Sequence, residues 1–112
     1  MRHYKETVEI DKETSDWLKH LLSYEEMTEE DFEKEGIDQD STVYEETVEF
    51  KDGKQADLKV CSGQNNLWAE AVLFSKNGDE LCFTEPGFDD LIGGWQMQTG
   101  SAKYTITVKE VA

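Results

Sequence analysis

The chain has 112 residues, and 26 Asp and Glu against 11 Lys and Arg give it a formal charge of −15, which repels nucleic acid and anionic lipid wherever salt leaves the field unscreened. Hydrophobic residues make up 37% of it, with 5 Phe, 4 Tyr and 3 Trp, enough for one modest core but not for two, and too much for a chain disordered throughout. The apolar runs are short and broken by charges, with neither the length of a membrane span nor the layout of a signal peptide, so a single cytoplasmic domain over residues 1–112 is expected.

Tyr4, Val8 and Ile10 alternate with Lys5, Thr7 and Glu9, the period-2 signature of a strand with one buried face. Asp11 is placed to accept from the free amides of a following helix, in which Trp17, Leu18, Leu21 and Leu22 form one apolar stripe and His20 lies off it, facing water. Thr28 followed by Asp31 approximates a capping box, with Met27 and Phe32 as its hydrophobic staple. Gly36 suits the left-handed position that ends a helix, and Ile37 can fold back on Phe32. A helix of about two turns is therefore expected here, its early acids Glu29, Glu30 and Asp31 favoured by the helix dipole.

From Thr42 the pattern turns to β. Tyr44, Val48 and Phe50 share one face, Asp52-Gly53 predicts a two-residue hairpin turn, and Ala56, Leu58 and Val60 share the inner face of the returning strand. Residues 67–74 are apolar on both faces apart from Glu70, as expected of a central strand. Asn77-Gly78 turns the chain into residues 81–83 and completes a meander. Residues 85–94 hold the single Pro and three of the eight Gly and read as a loop, followed by a strand at 95–98, a turn near Gly100 and a last strand with Tyr104, Ile106 and Val108 inward. The expected fold is α+β, a mainly antiparallel sheet of five to seven strands with two short helices from the N-terminal half packed on one face.

The acids are unevenly placed. Residues 25–49 hold twelve of them (Glu25, Glu26, Glu29, Glu30, Asp31, Glu33, Glu35, Asp38, Asp40, Glu45, Glu46 and Glu49) against Lys34, whereas residues 51–112 hold nine acids and six bases. Such a run costs self-repulsion, and a chain that keeps it either needs the solubility or uses the field to steer a basic partner.

Other chemistry is weakly signalled. Asp38, Asp40, Thr42 and Glu49 fall at calcium-loop spacing, but Val43 stands where that loop needs glycine. His3 and His20 have no cysteine close in sequence to complete a zinc pattern, and they are the only imidazoles available to activate a nucleophile. Cys61 and Cys82 belong to no C-x-x-C pair and read as free thiols. No metal, cofactor or catalytic residue is expected. Asp89 and Asp90 could form a carboxylate pair if their loop lined a pocket, though adjacent side chains diverge. Gly93-Gly94-Trp95 could present an indole to a ligand, or be a bend that plugs Trp95 into the core, the preferred reading.

The functional expectation is a non-catalytic domain whose acidic surface docks on a basic protein surface, such as that of a nucleic-acid-binding protein or nuclease, as a charge mimic or immunity-type inhibitor would. Glu25, Glu26, Glu29, Glu30, Asp31, Glu33, Glu35, Asp38 and Asp40 would carry the contact, with Tyr24, Phe32 or Tyr44 as anchors where exposed. The alternatives are a small-molecule-binding or enzymatic domain using Asp89, Asp90 and Trp95 in the 85–95 loop, and an accessory subunit whose acidity serves solubility alone.

Overall fold

The structure, a computed structural model, describes residues 1–87 and 94–112. Among them lie strands β1 (Arg2–Asp11), β2 (Thr42–Glu49), β3 (Gln55–Ser62), β4 (Leu67–Phe74), β5 (Glu80–Thr84), β6 (Trp95–Thr99) and β7 (Ala102–Val111), and helices α1 (Lys12–Leu22) and α2 (Glu29–Glu35). The fold is α+β and mostly antiparallel, but its strands divide between two sheets: β2-β3-β4-β5 is the expected meander, and β1-β7-β6 is a separate three-stranded sheet. β1 and β7 run parallel, in unbroken register from Arg2↔Ala102 to Asp11↔Val111.

The alternation read from the sequence supplies a common core. Val8, Ile10, Trp95, Met97, Tyr104, Ile106 and Val108 from one sheet pack with Ala56, Leu58, Val60, Ala69, Ala71 and Leu73 from the other, and Leu18 of α1 enters the same cluster. At their edges the two sheets come close without a ladder, β2 beside β1 and β5 beside β6. Trp95 bridges the second seam by donating its Nε1 hydrogen to Thr84 Oγ1 at 3.2 Å. Helix α1 contacts β1, β4 and β7, and is started by Asp11, whose Oδ1 accepts from the Thr14 amide at 2.8 Å.

Two of the meander's three turns, β2–β3 and β4–β5, are longer by one residue than the dipeptide signals imply. Phe50 N–H donates to Lys54 O and Gly53 N–H to Phe50 O, so Lys51, Asp52 and Gly53 form a three-residue loop with Gly53 at φ +88°. The same pattern recurs at Ser75–Asp79, with Gly78 at φ +87°. The extra residue is a bulge with glycine in the left-handed region, which keeps the twist of the strands it joins.

Tyr104 anchors the first of these turns to the other sheet. Its ring is fully buried, stacks on Tyr4 with centroids 5.3 Å apart, and meets Phe50 edge-on at 4.9 Å. Its hydroxyl donates to Asp52 Oδ2, which also accepts from Lys54 Nζ at 2.9 Å, while Asp52 Oδ1 accepts from the Lys54 amide at 3.1 Å. Burial pushes the Asp52 carboxyl up, but the donors on Tyr104 and Lys54 outweigh it and hold the group below the usual aspartate range. A carboxyl depressed on folding stabilises the native state at neutral pH and loses that contribution as the pH falls through its folded value. Asp52→Ala removes the acceptor of the buried Tyr104 hydroxyl, and is expected to lower the unfolding free energy by about 1–3 kcal/mol in urea denaturation at pH 7. The difference from wild type should shrink below about pH 4.

Candidate functional site

The capping signals around Phe32 produce the helix they predict. Thr28 N–H donates to Asp31 Oδ2 at 2.9 Å and Asp31 N–H to Thr28 Oγ1 at 3.2 Å, while Gly36 ends α2 at φ +72° with Ile37 N–H on Phe32 O. The segment on either side of α2 is laced to the β3–β4 turn. Met27 N–H donates to Asn65 O at 2.8 Å, Asp40 N–H to Gly63 O at 3.1 Å, and Gln39 Nε2 to Gln64 O at 2.6 Å. Ser62 Oγ, in a buried residue, donates to Asp38 O at 2.6 Å and accepts from the Ser41 amide at 3.0 Å. Residues 26–41 are thereby fixed at the end of the molecule where β3 passes into β4, and Met27 and Phe32, both buried, fasten them from beneath.

The acidic residues on this frame fall into two groups. Glu25, Glu26, Glu29, Glu30, Glu33, Asp38 and Asp40 are exposed around α2 and its flanks, and Glu45 and Glu49 are exposed further along on β2. Three others are turned toward the protein. Asp31, half-buried, is held below the ordinary range chiefly by the Thr28 amide and then its hydroxyl. Glu35 has a side chain 10% exposed, with Oε2 3.1 Å from His20 Nε2 as its one polar contact among the described residues, an ion pair when the imidazole is protonated. Glu46 accepts from the Tyr44 hydroxyl at 3.0 Å, and burial together with that carboxylate pushes the Tyr44 phenol well up.

Cations are scarce near the first group and gathered elsewhere. Lys12 pairs with Asp16 and Lys19 with Glu110. Arg2, Lys5, Lys51, Lys54, Lys76 and Lys103 lie at the opposite end, on the first residues of β1 and β7 and on the turns at 50–54 and 75–79. There His3, Tyr4, Lys5 and Lys51 line a cleft of about 270 Å³. Asp52, Asp79 and Glu80 share that end, so its charges are mixed, whereas the end around α2 is acidic and little neutralised by its own side chains.

The three aromatics considered as anchors are placed differently from what that role requires. Phe32 is only 4% exposed, since it closes both ends of α2, and Tyr44 stands on the inner face of β2. Tyr24 is half-buried, in edge contact with His20 at 5.4 Å. Among the described residues, and apart from Met1 at the terminus, the exposed large apolar residues lie instead on the outer face of the meander, where Leu81 is 41% and Phe83 49% exposed. The sequence signal for them was residues 67–74, apolar on both faces. It identified a strand central within its sheet, but not that one of its two apolar faces packs on no second layer among the described residues.

Asp89 and Asp90, like Gly93, lie outside the described residues. Trp95 is 8% exposed within the core, as the glycine-bend reading expects. A second pocket of about 270 Å³ opens beside residues 85–87, where the chain leaves β5, lined by Leu22, Leu67, Trp68, Ala69, Glu85, Pro86 and Gly87. Thr42 and Val43, from the calcium-like spacing, are part of β2, and among the described residues no group of three or more His, Cys, Asp and Glu side chains is arranged to hold a metal. No described helix is long and apolar enough to cross a membrane. Cys61 and Cys82 are free, the first on the outer face of β3 beside Glu70 and the second packed on the core. Known protein families, curated proteins and solved structures provide no match to this chain.

Two outcomes follow from this electrostatic layout. Raising NaCl from about 0.01 M to about 0.15 M shortens the Debye length from about 30 Å to about 8 Å, and is expected to raise the melting temperature in a calorimeter by screening the crowded carboxylates. A fall instead would mean that attractive ion pairs dominate. Burial, then the Glu70 carboxylate, pushes the Cys61 thiol up, so Cys61 is expected to react with iodoacetamide more slowly than free glutathione near pH 8, and Glu70→Gln to speed it, as followed by mass spectrometry of the labelled peptide.

Proposed function

We propose that this protein is a non-catalytic binding domain whose acidic end docks on a basic protein surface, with charge mimicry of nucleic acid, or neutralisation of a nuclease by an immunity-type partner, as its specific forms. The observation that carries the reading is the exposure of seven carboxylates, Glu25, Glu26, Glu29, Glu30, Glu33, Asp38 and Asp40, on one hydrogen-bonded segment, with Lys34 as the cation within it. A run of acids in sequence need not be a patch in space. Here the ties to the β3–β4 turn hold these residues at one end of the molecule. A field of one sign on a fixed frame raises the rate of encounter with an oppositely charged surface by one or more orders of magnitude at low salt.

A second reading draws on the pocket beside Pro86. Its apolar lining and lone acid, Glu85, would suit a small ligand, although its volume lies just below the usual range of about 300–1,000 Å³ for such sites.

The two readings separate in one experiment. The protein is immobilised, exposed to lysate of its source cells at low salt and eluted with a salt gradient, beside a variant carrying Glu25→Gln, Glu26→Gln, Glu29→Gln, Glu30→Gln and Glu33→Gln. Retention of a basic nucleic-acid-handling protein, its release by salt, and an association rate with the purified partner at least about tenfold slower for the variant are expected. Retention indifferent both to salt and to the variant would overturn the acidic-end reading and turn attention to the pocket.

A further inference from the structure

The outer face of the four-stranded sheet presents a second surface with a chemistry of its own. Register places Asp57, Lys59 and Cys61 of β3 on this face with Trp68, Glu70, Val72 and Phe74 of β4 and Phe83 of β5. Leu81, next to the core-packed Cys82, joins them at the β-bulge where Phe74 pairs with Glu80, and cross-strand pairing adds Glu45, Thr47 and Glu49 of β2. None of Trp68, Val72, Phe74, Leu81 and Phe83 belongs to the main core or packs against it. Val72 is nevertheless only 7% exposed, shielded on the surface side by its neighbours. These five residues form an apolar stripe about 20 Å long, judged by the rise along β4 from Trp68 to Phe74. Large apolar groups gathered on the face of an otherwise strongly charged chain mark an interaction surface.

The other half of the same face is acidic. Glu45, Glu49 and Asp57 flank the stripe, Glu70 interrupts it between Trp68 and Val72, and Glu80 stands opposite Phe74, with Lys59 as the one base among them. Thr47 donates to Asp57 at 2.9 Å and Trp68 Nε1 to Glu70 at 3.0 Å, which fixes two of these carboxylates without neutralising them. A second copy laid on this face would set acid against acid at a cost of several kcal/mol. Strand addition at the β5 edge is also disfavoured, because that edge lies beside β6 and is bridged by Trp95 and Thr84. The complementary occupant has an apolar centre and lysines or arginines along one side.

We infer that the outer face of β2–β5 is a docking surface for a protein segment that combines apolar side chains with a basic flank, Phe83, Leu81 and Trp68 taking the apolar part and Glu45, Glu49 and Glu70 the cations. The inference rests on the protein-binding reading and supplies the contact that long-range charge cannot. Acids at the far end set the encounter rate, whereas buried aromatic and aliphatic anchors set the residence time.

The test uses two labelled peptides of equal charge, one alternating leucine with lysine and one alternating serine with lysine, titrated by fluorescence anisotropy against the full chain. The leucine peptide is expected to bind at least about tenfold more tightly than the serine peptide. Leu81→Ser with Phe83→Ser should remove that preference, with a melting temperature close to wild type because neither side chain belongs to the core; if the double variant unfolds, Phe83→Ser alone is read in its place. Equal binding of the two peptides, abolished by neutralising Glu25, Glu26, Glu29, Glu30 and Glu33, would overturn the inference and leave the acidic-end reading standing. Binding untouched by either set of substitutions would overturn both. A dimer in sedimentation equilibrium that Leu81→Ser with Phe83→Ser dissolves would identify a second copy as the occupant, and would equally overturn it.

Discussion

The parallel ladder between β1 and β7 is the constraint on which the rest of this structure depends. It joins the first and last strands over ten register pairs, so the chain that follows Asp11 must leave the sheet and return to it at β6, next to β7. A parallel pair cannot be closed by a hairpin. The intervening chain instead builds a second sheet, which faces the first across a shared core, and the antiparallel β6–β7 hairpin completes the three-stranded layer. Tyr104 then fastens the two layers at one end, stacked on Tyr4 within its own sheet and bonded to Asp52 in the turn of the other. Contacts of this separation in sequence make folding slow, because loop-closure entropy must be met before the ladder can form.

The same topology sorts the charges. Parallel pairing puts the starts of β1 and β7 together, and antiparallel alternation brings the turns at 50–54 and 75–79 to that end, which gathers Arg2, Lys5, Lys51, Lys54, Lys76 and Lys103. The β3–β4 turn is necessarily at the other end, and the segment around α2 is stitched to it by backbone hydrogen bonds. Acids and bases separated by a strand length cannot neutralise one another through several Debye lengths of solvent. The concentration of negative potential therefore follows from where the strands begin and end as much as from composition.

What was legible in the sequence was what is local. The capping box at Thr28 and Asp31, the left-handed close at Gly36, the N-cap at Asp11 and the alternation of β1, β2, β3 and β7 each arise from residues within a few positions of one another. Turn location was legible too. Turn length was not, because Asp-Gly and Asn-Gly suit both the two-residue turn and the bulged three-residue turn found here, and strand twist decides between them. The partner of β1, the division into two sheets and the exposure of Phe83 depend on contacts between residues far apart, for which alternation provides no address. Phe32 shows the converse error available to sequence reading. An aromatic amid acids resembles an exposed anchor, yet the two capping motifs that converge on it require it to be buried.

Residues 67–74 bear on how such a surface persists in solution. A strand apolar on both sides demands cover on both sides or a reason not to aggregate. Its inner face, Ala69, Ala71 and Leu73, is covered by the opposite sheet, and the outer face keeps Glu70 in its midst with Asp57, Glu45 and Glu49 on the neighbouring strands. Those carboxylates, backed by the overall charge of −15, set like against like whenever two copies approach, which protects a stripe that no described residue covers. They impose no such penalty on a cationic surface. The arrangement that discourages self-association is therefore selective in sign, and a single set of acids both keeps the apolar face soluble and determines what chemistry is able to cover it.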